Sequence, residues 1–440
     1  MLRKKTLGFL VLVMLILPVG ALAADSPQST KQPAILTLEQ CLDWAFQNNK
    51  QIQEKEKLVT IAEGAVKEAK GGFWPTLNYQ ATWDESDVTQ YQVGMAYEDH
   101  QFVAGVNATL PLYTGGMLQN NLKLTRTQLE IAREDLRKAK QQLIYDVKQV
   151  YYQVWLAEKV VQVQEASYHN LEQHVNRVQI RYNAETASKL DLMRAKVQRD
   201  TLKPKVISAQ NQLVLAKLQL ATIIGYPKDQ TYQVQYEAAS LKMPDSVSIS
   251  LAEILNAADQ DRPEFRQIQG KAKINQIITA MEKASYKPNA GLSVGYGGKN
   301  EDVTFEDWYD AWTLTFSVGG KLYDRKIHAK IEQAKKEEEL TEIQEANLRD
   351  MIRLEAEQSL QNLAVSIETT RANQASIELA KEALRMTEIR VDNGMATTMD
   401  IMDAQLALDQ VLTGYYQGVV SYLTADAKLD LVMGKDNSSK

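Results

Sequence analysis

The sequence predicts a mainly α-helical protein with a small β part: very long coiled-coil hairpins plus four β-strands per chain. Three observations predict this fold class. Helical periodicity continues for some sixty residues at a stretch, far beyond the usual dozen. Two pairs of short segments instead alternate apolar and polar residues, the period of a β-strand. The same order of features recurs after about 210 residues, too long for a solenoid repeat, so we infer an internal duplication.

The N-terminal segment has the pattern of an export signal. Arg3, Lys4 and Lys5 precede an apolar run, and 21–23 (ALA) form an A-x-A cleavage site. We therefore expect residues 1–23 to be the signal peptide of an exported bacterial protein. Because this segment carries three bases and no acid, its removal changes the formal charge from −6 to −9. An acidic chain without a basic block argues against nucleic acid as a partner.

The composition excludes two further classes of protein. The mature sequence lacks an apolar run of about 18 residues, so no transmembrane helix is predicted. Cys41 is the only cysteine, which excludes a disulfide framework, and its apolar neighbours predict a buried thiol. With only 10 prolines and 21 glycines, the chain is predicted to form one elongated body.

The first repeat is predicted over residues 24–228. After a polar lead-in, 37–40 (TLEQ) fit a capping box that starts a helix running to Gly71 and Gly72. Two alternating segments, at 76–83 and 105–112, then predict a β-hairpin with one apolar face.

A long rod and a tip complete this repeat. Helical periodicity from 116 to 182 predicts a rod on the order of 100 Å long, which needs partner helices along its length. A short turn at 183–187 leads into a helix over 188–224. Pro204 is expected to kink or interrupt that helix.

The same order of predicted elements recurs over residues 250–434. A second capping box, 250–253 (SLAE), lies 213 residues after the first, and Pro288 lies 213 residues after Pro75. Two more alternating strands, a rod from about 324 to 391, a turn at 393–394 and a final helix follow. A polar linker at 229–249 joins the repeats, and 435–440 form a polar C-terminal tail.

The strands are predicted to lie in a membrane. About ten residues suffice for a tilted crossing, and four tryptophans lie in or beside the strands: Trp74, Trp83, Trp308 and Trp312. The alternative is a soluble β cap on a helical stalk. Because four strands cannot close a barrel and open edges are not tolerated in lipid, membrane strands must be pooled between chains.

The chain resembles the TolC-like outer membrane efflux proteins over essentially its whole mature length. The matching stretches begin at Leu36 (LTLEQCLDWAFQNN), Ser250 (SLAEILNAADQDRPE), Leu110 (LPLYTGG), Arg181 (RYNAETASKLDLMRA) and Arg390 (RVDNGMATTMDIMDAQLAL). The resemblance implies a homotrimer with a twelve-stranded barrel in the outer membrane and an α-helical tunnel across the periplasm. It also implies an exit duct, without enzymatic activity or cofactor, that works with a periplasmic adaptor (membrane fusion) protein and an inner membrane transporter.

The chain departs from the family pattern at both tips. Glu185 stands where the family usually has Gly, and Val391 and Ala396 stand where some members place a Tyr and an Arg that tie the tip shut. Either this duct uses other locking contacts, or its closed state is weaker.

Acidic residues at the tips are the candidate gate. Asp191 and Asp400 each lie at the capping-box position of a helix start, so helix initiation alone accounts for them. Asp403 lies one turn further, on the face of Asp400, and needs another explanation. In a closed trimer Asp400 and Asp403 would form two stacked acidic rings, a pattern that selects cations, and Asp191 would support them.

The tip turns are candidate docking points for helical hairpins of the adaptor. The residues in question are Ala184, Glu185, Thr186 and Ser188 in the first tip, and Gly394, Met395 and Thr397 in the second.

Catalytic and metal-binding patterns are lacking in the sequence. It has no GxSxG, P-loop or GxGxxG followed by a helix, and its four histidines have no metal-ligand spacing. The predicted function is the exit duct of a tripartite efflux or type I secretion system. A secreted coiled-coil stalk or tether is the alternative, and extraction of a heat-resistant trimer from the outer membrane would distinguish the two.

Overall fold

The structure, a computed structural model, describes residues 34–85, 100–227, 232–236, 244, 246–300 and 308–436. The predicted signal peptide (1–23), most of the predicted linker (229–249) and the last four residues of the predicted tail lie outside the described residues.

The same order of elements occurs twice. The first half contains β1 (Ala34–Leu36), α1 (Leu38–Asn48), α2 (Lys50–Gly71), β2 (Thr76–Glu85), β3 (His100–Thr114), α3 (Met117–Asn183) and α4 (Lys189–Ile224). The second contains β4 (Tyr232–Val234), α5 (Leu251–Asp261), α6 (Pro263–Ala284), β5 (Asn289–Asn300), β6 (Tyr309–Gly319), α7 (Arg325–Asp392) and α8 (Thr398–Val432). Corresponding helices have nearly equal lengths: 11 and 11, 22 and 22, 67 and 68, and 36 and 35 residues.

The prediction of a single helix from residue 37 to Gly71 is wrong, because the helix is divided at Asn49. The Asn49 backbone is extended, with φ −66° and ψ 126°, and its side chain accepts hydrogen bonds from the N–H groups of Gln51 and Ile52. Asn49 therefore ends α1 and caps α2. Arg262 divides α5 from α6 with the same backbone geometry.

The two rods are confirmed as unbroken helices. At about 1.5 Å per residue, α3 and α7 are each on the order of 100 Å long. Each pairs with the helix that follows its tip, so α3 and α4 form the first hairpin, and α7 and α8 form the second. The two hairpins meet mainly along α3 and α8. Pro204 was expected to kink or interrupt α4. It does not interrupt the helix, which runs unbroken from Lys189 to Ile224 and packs along α3.

The four long strands form one antiparallel sheet in the order β2-β3-β5-β6. Three strands have 10 to 12 residues, close to the predicted nine or ten, but β3 has 15 and contains a bulge between Pro111 and Tyr113. The pairing of β3 with β5 joins the two predicted hairpins side by side.

A small parallel ladder was not predicted from the sequence. Strands β1 and β4 pair in register, so the lead-in is held against the segment that connects the two halves. The largest apolar core surrounds this ladder and contains Cys41, Ile52, Tyr151, Leu220 and Tyr232. Cys41 is fully buried, as predicted, and burial raises the pKa of its thiol to about 12.

Within the part of the chain that the structure describes, no helix combines the length and the apolar character needed to cross a membrane.

Candidate gate at the helical tips

The two tips have the same backbone geometry, residue by residue. In the first, the N–H groups of Ala184, Glu185 and Thr186 donate to the carbonyl oxygens of Ile180, Tyr182 and Arg181. In the second, those of Asn393, Gly394 and Met395 donate to Ile389, Val391 and Arg390. The equivalent residues are 209 positions apart, the spacing found between the two tip motifs. Both tips therefore have the same local pattern of backbone hydrogen bonds.

Glu185 adopts the left-handed backbone conformation that Gly394 adopts in the other tip. Its φ is 61°, against 72° for Gly394, and no other non-glycine residue in the described ranges has a positive φ. A side chain in this region is strained by about 1–2 kcal/mol because Cβ approaches the following carbonyl oxygen. The missing glycine therefore leaves the turn unchanged, at an energetic cost.

Asp191 and Asp400 close capping boxes, as the sequence predicts. The Asp400 carboxylate accepts from the N–H of Thr397 at 2.7 Å, and the Asp400 N–H donates to Thr397 Oγ1 at 3.4 Å. Asp191 makes the same exchange with Ser188, at 3.2 and 3.1 Å. Hydrogen bonds from Thr397 and from Ser188 hold the pKa of each carboxyl below its usual range. The caps are therefore strongest above the usual carboxyl pKa and are lost as pH falls through the lowered value.

Asp403 is exposed and belongs to no cap. It lines a cavity of about 450 Å³ between α3, α4 and α8. Asp409, Lys205 and Gln198 line the same cavity. The structure therefore separates the two candidate gate residues. Asp400 starts a helix, whereas Asp403 faces the groove between the hairpins.

Val391 and Ala396, which replace the family's tie residues, pack into an apolar cluster inside the second hairpin. Val391 is buried against Ile401, and Ala396 packs against the same cluster. Their side chains therefore stabilise the second hairpin itself and do not reach the first.

Two arginines of α3 connect the hairpins instead. Arg177 forms an ion pair with Glu388 of α7, with a distance of 3.4 Å from Nη2 to Oε1. Arg181 Nη1 donates to the backbone carbonyl oxygen of Val391 at 3.2 Å. On the other side, Gln198 of α4 approaches the sulfur of Met399 in α8 at 3.8 Å. Together these contacts link the hairpins of one chain close to both tips.

These arginine contacts were not predicted from the sequence. Arg181 is the first residue of the first tip motif, but an arginine on a long charged helix is ordinarily solvated, so no contact was predicted for it. Its acceptor is a backbone carbonyl 210 positions away, which no side-chain pattern reveals.

The sheet has one apolar and one polar face. The pairing register aligns Tyr79, Val106, Tyr296 and Trp312 in one row across all four strands. Further residues of this face are Leu77, Ala81, Trp83, Ala108, Leu110, Leu292, Val294, Leu314, Phe316 and Val318. Most of the large side chains on this face are exposed. The opposite face carries mainly amides, hydroxyls and glycines, together with one row that contains Val103, Lys299 and Tyr309. On this face Ser293 Oγ donates a hydrogen bond of 2.7 Å to Asn107 Oδ1.

The predicted tryptophans lie near both ends of this sheet. Trp74 lies at the helical end and is 73% exposed, as is Trp312. Trp83 and Trp308 lie near the loop end, where the Trp308 ring contacts Phe102. In the described residues, no group of three or more His, Cys, Asp or Glu could hold a metal ion.

Comparison with known families identifies this architecture. The family model described as "Outer membrane efflux protein" matches residues 41–226 and 254–435, one match in each half. The chain belongs to the outer membrane efflux protein family. It is therefore a TolC-like protein of the cell outer membrane whose helical tunnel lies in the periplasm, with the family and fold of a channel protein.

Individual relatives are distant in sequence but similar in length and fold. The outer membrane efflux protein BepC of Brucella suis biovar 1 (strain 1330) is 20% identical over 374 residues, which cover 84% of this chain and 79% of BepC. The crystal structure of CusC matches at 17% identity with a TM-score of 0.78, covering 92% of this chain and 95% of CusC. The open state of the Neisseria gonorrhoeae MtrE channel matches at 16% identity with a TM-score of 0.77, covering 92% and 91%.

Proposed function

We propose that this efflux protein is a homotrimeric exit duct with a gate at its periplasmic tips. In the proposed assembly, three four-stranded sheets join into a twelve-stranded barrel in outer membrane lipid, and the helical hairpins form the periplasmic tunnel. The duct serves a tripartite efflux or type I secretion system, has no catalytic role and needs no cofactor. The two halves, 24–228 and 250–434, arose by internal duplication.

The register of the sheet carries this proposal. It places most of the exposed apolar side chains of all four strands on one face and most of the polar side chains on the other. Such a sheet suits lipid on one side and a water-filled lumen on the other. Among the described residues, the outer edges of β2 and β6 have no pairing strand, and unpaired backbone is not tolerated in lipid. Pairing β6 of one copy with β2 of the next would satisfy both edges.

The acidic residues support the proposed gate. In a closed trimer, three copies each of Asp400 and Asp403 would form two rings one helical turn apart, with Asp191 supporting them from the start of α4 in the first hairpin. Stacked carboxylate rings favour cations and bind multivalent cations.

The tips are the proposed docking sites for a periplasmic adaptor protein, which connects the duct to an inner membrane transporter. The tip residues 184–186 and 394–395 are exposed and small or polar apart from Met395, which is 72% exposed. Helical hairpins of an adaptor could lie between neighbouring rods there.

Membrane partition tests the duct. Detergent extraction of the outer membrane should yield a heat-resistant trimer that forms channels in planar bilayers. A soluble monomer or dimer in the medium would support the structural stalk instead.

The gate has a separate test. Replacing both candidate gate residues (Asp400→Asn with Asp403→Asn) should reduce cation selectivity and block by multivalent cations in single-channel recordings. If these properties stay unchanged, the acidic rings are not the gate, although the duct itself would stand.

A further inference from the structure

A buried polar seam joins the two hairpins above the tips. On α3 it contains the buried Ser167, which is 2% exposed, and at its rim the exposed Asn170; on α8 it contains Gln405 and Asp409, which are 6% and 8% exposed. Asn170 Nδ2 donates to Gln405 Oε1 at 3.2 Å, and Gln405 Nε2 donates to Asp409 Oδ1 at 2.8 Å. The Ser167 hydroxyl also lies close enough to Asp409 to stabilise its ionised form.

Asp409 is unusual because it is a buried carboxyl group without an ion pair among the described residues. Buried carboxylates are ordinarily paired with a cation, since the loss of hydration costs several kcal/mol. Two uncharged partners, Ser167 and Gln405, contact it instead. These uncharged partners favour the carboxylate but compensate its negative charge only in part.

Few charged groups line the cavity beside Asp409 on α3, α4 and α8. From α4, Lys205 lines the adjoining cavity of about 450 Å³ and attracts the carboxylate over a distance. From α8, Asp403 lines the same cavity, and from α3 the described lining residues are Gln164, Ser167 and Leu171, none of them charged. Burial is the largest influence and raises the pKa of Asp409 above its usual range, with the hydrogen bonds and Lys205 opposing it.

We propose that Asp409 is a pH-dependent latch between the two hairpins, which holds the seam closed when protonated and loosens it when ionised. This inference rests on the proposed gated duct. Because α3 and α8 form the main contact between the hairpins, a change in their seam alters how freely the second hairpin moves against the first. The buried cluster thus adds a regulatory element above the acidic tip residues.

The direction of the pH effect follows from the raised pKa. The closed seam binds the proton more tightly than an open, hydrated seam, so protonation stabilises closure. Stability of the closed seam is fully present below the usual carboxyl pKa and is lost as pH rises through the raised value. His174, lower on α3, acts in the opposite sense, because burial lowers the pKa of its ring and protonation would disfavour its buried position.

Three variants isolate Asp409 from other titrating groups. Asp409→Asn is neutral at every pH and keeps the shape of the side chain and one acceptor oxygen, with an NH2 donor in place of the second oxygen. Ser167→Ala removes a hydroxyl group that lowers the pKa of Asp409, so it should shift the transition to higher pH. Glu172→Gln makes the same carboxyl-to-amide change at an exposed site of α3 and is the control.

Two measurements read out the latch. In planar bilayers, the mean conductance of the wild-type trimer should fall by about twofold or more as the pH is lowered through the Asp409 transition, which lies above the usual carboxyl pKa. In detergent, spin labels on the two tips (Thr186→Cys with Met395→Cys) should report a larger or broader distance at the higher pH. Cys41 stays unlabelled because it is fully buried and its thiol pKa is raised to about 12.

The outcomes separate the latch from the duct. The latch is supported if Asp409→Asn loses the pH dependence of both readouts, Ser167→Ala shifts it upward, and Glu172→Gln leaves it unchanged. It is overturned if Asp409→Asn forms trimers with the pH profile of the wild type, or if Ser167→Ala fails to move the midpoint. If the wild-type protein forms no trimer and no channel, the proposed function fails instead.

Discussion

The two arginine contacts near the tips lead to a quantitative prediction about the closed state. Arg177 and Glu388 are 39% and 38% exposed, so water screens their ion pair, and such pairs contribute about 0.5 kcal/mol. If three protomers open together, the Arg177→Ala variant loses about 1.5 kcal/mol per trimer, roughly a tenfold shift toward the open state. Arg181→Ala removes a charged hydrogen-bond donor from a partly buried carbonyl group. This loss destabilises the closed state by about 1 kcal/mol per protomer, roughly a hundredfold shift toward the open state per trimer.

Single-channel recording in planar bilayers measures this shift as open probability. A double-mutant cycle with Arg177→Ala, Glu388→Ala and both together isolates the pairwise energy. Arg385→Ala is the matched control, because its ion pair with Glu382 lies within α7 and joins no hairpins. If Arg177→Ala opens the channel no more than Arg385→Ala does, the arginines do not tie this tip.

Three further variants test the local geometry. Glu185→Gly should stabilise the first hairpin by about 1 kcal/mol by relieving its left-handed strain, measured by denaturant unfolding, and an unchanged midpoint would contradict the strain. Gly418→Ala should destabilise the trimer by about 1–3 kcal/mol, because a Cβ at this position would overlap Thr370 Oγ1. Gly64→Ala is the control, since a Cβ there would have no atom within 4 Å, and it should not lower the heat resistance of the trimer. Phe316→Arg on the apolar face should reduce the free energy of folding into lipid vesicles by about 2–4 kcal/mol. Thr315→Arg on the polar face should leave it unchanged. Equal effects of the two variants would contradict the assigned faces.

Much of the fold follows from local sequence patterns. The four alternating strands, both rods and both tips were predicted because each depends on the period of its own side chains. The capping boxes at Ser188 and Thr397 were equally visible, since the two residues of a box lie three positions apart. At Asn49 the pattern failed, because a single extended residue divides the helix without disturbing the apolar spacing on either side.

The candidate site was predictable only in part. The sequence located the tip acids, and the backbone geometry of the tips agrees with their repeated spacing. It did not locate the contacts that join the hairpins, such as Arg181 with the Val391 carbonyl or Asn170 with Gln405. These pairs are 210 and 235 positions apart, and their helices offer many other polar residues of the same kinds.

The sequence by itself determined that this chain is a duplicated helical protein with two β-hairpins and two acidic tips, because these features depend on neighbours within a few residues. Only the tertiary structure decided that the hairpins form one sheet with a common apolar face, since the register of β3 against β5 sets which side chains align. It also decided that Asp403 faces a groove and that Asp409 is buried. The packing of α8 against α3 determines both positions, and that packing depends on residues more than 200 positions apart.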